Sequence, residues 1–145
     1  MNTSRTHARP AFLGTVAAAF ACAVFSTAAL ADSVKVMLSG DAEVPPVKTM
    51  ASGSGTVTIN PDMSVGGGFT TAGLNGTMAH IHLGAAGKNG PVVITFARKG
   101  DNDWAVPDGA KLTEAQYQAY KAGELYINVH TADNKAGEIR GQLMP

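Results

Sequence analysis

The chain has 145 residues, 11 Lys+Arg against 11 Asp+Glu, four histidines and one cysteine. Its charges of both signs are interspersed, with no basic stripe carrying aromatics, which argues against nucleic acid as a partner. A lone cysteine leaves no disulfide framework to staple the fold.

The N-terminus is expected to be an export signal over residues 1–31. Arg5 and Arg9 form a short positive region, and the run from Ala11 to Ala29 is uncharged and apolar. Ala-Leu-Ala at 29–31 fits small-x-small cleavage, making Asp32 the first residue of the mature chain. Cys22 lies inside the apolar run, so the mature domain, 32–145, holds no thiol for catalysis or metal binding. Loss of Arg5 and Arg9 leaves nine Lys+Arg against 11 Asp+Glu, a net charge of −2. No later stretch is long and apolar enough to span a membrane, which points to a periplasmic or secreted protein.

The mature chain alternates short β-patterned runs with Gly, Pro, Asn and Asp punctuation. SVKVML begins it, and GDAEVPPVKT follows as a loop, since Pro45 and Pro46 have no N–H for a central ladder. GSGTVTIN and VGGGFTTAGL are the second and third strands, joined by the turn PDMS. TMAHIHLG is the fourth. AAGKNG is a turn, with Lys88-Asn89-Gly90 at its tip, and PVVITFA is a fifth strand whose unbroken apolar run suggests burial on both faces. Trp104, in the loop GDNDWAVPDGA, is read as capping one end of the core.

One helix is expected near 113–122. Thr113 and Gln116 have capping-box spacing, and Gly123 suits the left-handed position after the last turn. ELYINVHT and GEIRGQLM close the chain as two strands around the turn ADNKAG. About seven strands and one short helix define an all-β domain, predicted to be a β-sandwich with Greek-key connections.

Strand parity places the histidines. Side chains alternate between faces, so Ala79, Ile81 and Leu83 share one face and Met78, His80 and His82 the other. In ELYINVHT, Leu125, Ile127 and Val129 face the core, and Tyr126, Asn128 and His130 face away from it. In GEIRGQL, Ile139 and Leu143 point inward, and Glu138, Arg140 and Gln142 outward. All three mature histidines therefore fall on polar faces. Three imidazoles without a thiolate suit copper first and zinc second. Parity leaves open whether they meet, and a surface histidine that binds nothing is the bland alternative. Asn128 or Glu138 is a candidate to orient an imidazole through its second nitrogen. Met78 offers a thioether on the same face, and Arg140 a nearby cation. For Glu43 in AEVPPV, a carboxylate accepting backbone N–H bonds is the simpler reading. No serine sits in a nucleophile elbow, and no catalytic residue is identified.

LSGDAEVPPV, GTMAHIHLGAAGKNGPVV and LTEAQYQAYKAGELYINVHTADNKAGEIRGQL together resemble the CHRD domain, named for chordin and found also as a stand-alone exported bacterial protein. The resemblance spans Val34 to Leu143 and implies an immunoglobulin-like or superoxide-dismutase-like sandwich. It implies no defined activity. His80-Ile81-His82 and Val129-His130 are similar to two copper-ligand pieces of copper-zinc superoxide dismutases. The bridging histidine, the zinc loop and the disulfide of those enzymes have no counterpart. The sequence thus points to an exported metal-binding module with His80, His82 and His130 as ligands. A non-metal module that binds an extracytoplasmic protein or serves the envelope is the alternative, and a copper-only dismutase the third reading.

Overall fold

The computed structural model describes residues 30–145 together with Met1, so the expected export segment and Cys22 lie outside the described residues, apart from its two ends. Nine strands follow in chain order: β1 Asp32–Ser39, β2 Ser52–Ile59, β3 Val65–Ala72, β4 Gly76–Leu83, β5 Val92–Thr95, β6 Ala97–Arg98, β7 Asp103–Ala105, β8 Leu125–Thr131 and β9 Ile139–Leu143. One α-helix among the described residues, α1 Glu114–Lys121, precedes β8. Among the described residues, no helix is long and apolar enough to cross a membrane.

The all-β expectation holds, but the strands form one antiparallel sheet of nine rather than a seven-stranded sandwich. Their order is β5-β4-β8-β9-β1-β2-β3-β7-β6. The first and last members of that order are consecutive in the chain, separated only by Phe96. The sheet therefore returns on itself, and its two ends are joined covalently. The expected fifth strand is the reason. It pairs with β4 up to Thr95, then switches to β7 from Ala97. Periodicity cannot reveal such a change of neighbour. The same segment is not buried on both faces as predicted: Val92 and Thr95 are exposed, while Ile94 and Phe96 enter the core. β7 was hidden by the Gly, Asp and Asn residues around it, which read as loop.

Alternating residues of β1, Val34, Val36 and Leu38, meet Ile81, Ile127, Val129 and Ile139 in one core. Trp104 is buried there, nearly parallel to Phe69 at 6.4 Å, while Phe69 meets Phe96 edge-on at 4.9 Å. The capping box of α1 is formed as expected, with Gln116 N–H donating to Thr113 Oγ1 at 3.2 Å and Thr113 N–H to Gln116 Oε1 at 2.8 Å. Its Tyr120 is fully buried. Thr113→Ala removes one of the two reciprocal bonds and is expected to cost about 1 kcal/mol, read as a fall in Tm of a few °C without loss of fold.

The departure that matters for function is β8, buried along its whole length. Three loops roof its outer face. The turn 84–90 is held down by Arg140, whose Nη2 donates to Lys88 O at 2.6 Å, and by Gln142, whose Nε2 donates to Gly84 O at 2.9 Å. Asn89 Nδ2 donates to Val44 O at 2.9 Å and so ties this turn to the loop after β1. The turn 132–137 folds back over His130 and Asn128.

Candidate metal centre

β4 and β8 are antiparallel neighbours, and their register sets Met78 opposite His130, His80 opposite Asn128 and His82 opposite Tyr126. One face of two strands thereby gathers all three histidines of the described residues. Their ligand nitrogens lie within 4.8 Å of one another. The histidines point away from the core, as parity requires, but they are not on a surface. His82 and His130 are each only 8% exposed, because the roofing turns cover them. His80 is half-buried and is the ring nearest to solvent.

The hydrogen bonds fix the tautomers of the two buried rings. His82 Nδ1 is 2.9 Å from Gly90 O, and His130 Nδ1 is 2.9 Å from Lys135 O. A carbonyl only accepts, so both Nδ1 atoms carry a proton, and in the neutral ring Nε2 is then the acceptor nitrogen. His130 Nε2 accepts from His80 Nδ1 at 2.9 Å. His82 Nε2 is buried with no hydrogen-bond partner. Main-chain carbonyls on the second nitrogen are what orient metal-binding imidazoles. Here the chain supplies them in the turns after β4 and after β8.

The residues fit a borderline metal ion: nitrogen donors, two of them pre-aimed, and one buried lone pair without a donor. Bonds of about 2.0–2.1 Å to zinc require the donors to close in somewhat from their present span, and His80 is the ring with room to move. Burial, then the neighbouring His130 and His82 rings, push the His80 pKa down to about 4. Burial likewise lowers that of His82, opposed by its bond to Gly90. Both rings are therefore neutral near pH 7, as ligation requires.

A pH dependence follows. Folded His80 titrates near 4 and its ordinary value is 6.5. Between these values the unfolded chain takes up a proton that the folded chain refuses, so stability falls as pH drops from 6.5 towards 4. The metal-free protein should show a lower Tm at pH 4.5 than at pH 7, and His80→Asn should flatten that slope.

The other candidate residues divide. Asn128, 3% exposed, is within reach of His82. Met78 is 52% exposed on the solvent side of the face. Glu138 does not orient an imidazole: it accepts from Thr49 Oγ1 at 2.8 Å and Thr131 Oγ1 at 2.7 Å and braces the base of the 132–137 turn. Burial pushes its pKa up, but these hydroxyls and Asn134 outweigh that and leave it below the usual value. Arg140 is 2% exposed, stacked with its Cζ 3.3 Å from the centre of the Tyr126 ring. Glu43 is buried beside it. Burial raises the Glu43 pKa against the pull of Arg140 and of a backbone bond from Val44. A cavity of ≈ 460 Å³ lies between the 41–46 loop and the 84–90 turn, bordered by Arg140 and Gln142, and none of the three histidines lines it.

Sequence reasoning missed three contributors. Tyr126 stacks on His82, ring centres 4.9 Å apart and planes within 5°. The carbonyls of Gly90 and Lys135 carry no side-chain signal at all. Glycine at 90 was legible only as a turn residue, yet a Cβ there would strike the Leu83 carbonyl. That close approach places the Gly90 carbonyl on His82.

An all-β domain whose sheet nearly closes on itself, with three histidines roofed on one outer face, is the class these observations define. The CHRD domain model matches residues 34–143, and the chain belongs to the CHRD domain family. No curated protein and no solved structure matches the sequence.

Proposed function

We propose that this protein is an exported, non-catalytic metal-binding module in which His80, His82 and His130 hold one copper ion, with zinc as the second choice. The observation that carries the reading is the convergence of three ligand nitrogens within 4.8 Å, two of them on rings locked by carbonyls with Nε2 turned inward. Storage, delivery or tolerance of the metal suits the site better than turnover. Copper-only dismutase chemistry would need a cation free to draw in an anion, and Arg140 is buried, with its two Nη atoms engaged by Asn89 and the carbonyls of Ala85 and Lys88.

One observation favours the second reading, a module that binds an extracytoplasmic protein. The 2.9 Å bond between His80 and His130 gives both rings a structural role without a metal. Titration calorimetry with Cu(II) and Zn(II), on the protein and on a His80→Ala/His82→Ala variant, separates the two. Stoichiometric binding tighter than micromolar that the variant loses supports the metal site. Weak binding unchanged in the variant leaves the histidines structural.

A further inference from the structure

A pair of buried acceptors beside the histidines is left without a donor. Asn128 lies between His80 and Arg140 across the β4–β8 and β8–β9 ladders. Its Nδ2 donates to Ala136 O at 3.3 Å and reaches towards the Glu43 carboxylate, whose ionised form it favours. Both partners are acceptors, so flipping the amide would set oxygen against oxygen. The amide is thereby fixed with Nδ2 on Ala136 O, and its residue sits directly opposite His80 in the β4–β8 ladder. Oδ1 is buried and has no partner. His82 Nε2, a bare lone pair because Nδ1 donates to Gly90, is also buried and has none. Glycine at 137, with φ +137, leaves the room that lets Glu43 and Asn128 approach each other, since a Cβ would meet both.

Two buried acceptors on paired strands, neither with a donor, are satisfied by a cation that both can reach. We propose that Asn128 Oδ1 is a fourth donor of the metal centre, making it a three-nitrogen, one-oxygen site selective for Cu(II) and Zn(II) over Cu(I). The inference rests on the metal reading above. An amide oxygen is a hard donor, whereas Cu(I) favours thiolate and thioether. The one thioether on this face of β4, Met78, is turned to solvent.

The test measures affinities for Cu(II), Zn(II) and Cu(I), the midpoint potential of the bound copper, and Tm, in the wild type, Asn128→Leu and Asn128→Asp. Asn128→Leu should weaken both divalent ions at least tenfold and leave Cu(I) within twofold, raising the potential by about 59 mV per tenfold loss. Asn128→Asp, which keeps an oxygen and adds charge, should hold divalent affinity and lower the potential, so it reads the inference even if the leucine variant does not fold. Equal losses for Cu(I) and Cu(II) in Asn128→Leu, or a potential that does not fall in Asn128→Asp, overturn the fourth donor and leave Asn128 a positioning residue. If the wild type binds no metal, or His82→Ala binds it as well, the three-histidine reading itself has failed.

Discussion

Saturating Cu(II) should raise the Tm of the wild-type protein, and His82→Ala should abolish that rise. A ligand present at 100 times its Kd, and bound only by the folded state, stabilises by about 2.7 kcal/mol. His82 is the chosen position because its ring is held from two directions, Nδ1 by Gly90 and one face by Tyr126, while its Nε2 is buried without a partner. The variant loses both the donor and its stacking on Tyr126, so its metal-free Tm should also drop. Differential scanning fluorimetry with and without metal separates the two effects. Equal rises in both proteins would place the copper elsewhere.

The second large effect is expected at Arg140. Its guanidinium donates to Asn89 Oδ1 at 3.0 Å and to Lys88 O at 2.6 Å, and covers the Tyr126 ring. Arg140→Ala strips those acceptors of their donor, uncovers Tyr126 and leaves buried Glu43 without a nearby cation. Removing one member of a buried charged network costs about 3–5 kcal/mol. Urea unfolding should show the loss as a lower midpoint. Arg140→Lys should recover little of it, because an ammonium point charge replaces a planar fork that both stacks and donates in two directions. Since the 84–90 turn also carries the Gly90 carbonyl, Arg140→Ala should weaken metal binding too. A variant with wild-type stability and affinity would mean that the turn is held by other contacts.

Much of the candidate site was legible in the sequence, for a simple reason. Strand parity is local, and the alternation of Ala79, Ile81 and Leu83 with His80 and His82 fixes which face the rings occupy. Convergence required one further fact, that β4 and β8 are neighbours, and pairing between strands some 50 residues apart leaves no local trace. Burial of the rings was illegible for the same reason: the roof consists of turns whose backbone, not side chains, makes the contacts. Gly90 and Lys135 act through carbonyls that any residue carries. Glu138 misled because its parity suited an orienting role, while its actual partners, Thr49 and Thr131, lie towards the base of the turn. In the fold, the helix and its capping box were plain, since their signals lie within four residues. The change of partner at Phe96 was not, because β5 and β6 look like one strand until both neighbours are known.

In the proposed centre, three imidazoles share one ion. Pulsed electron paramagnetic resonance of the Cu(II)-loaded protein tests it most directly, because the remote nitrogen of each copper-bound imidazole modulates the echo. The wild type should show the combination lines of three bound imidazoles, reduced to two in His80→Ala. Lines from a single imidazole, or a wild-type spectrum unchanged in His80→Ala/His82→Ala, would contradict it.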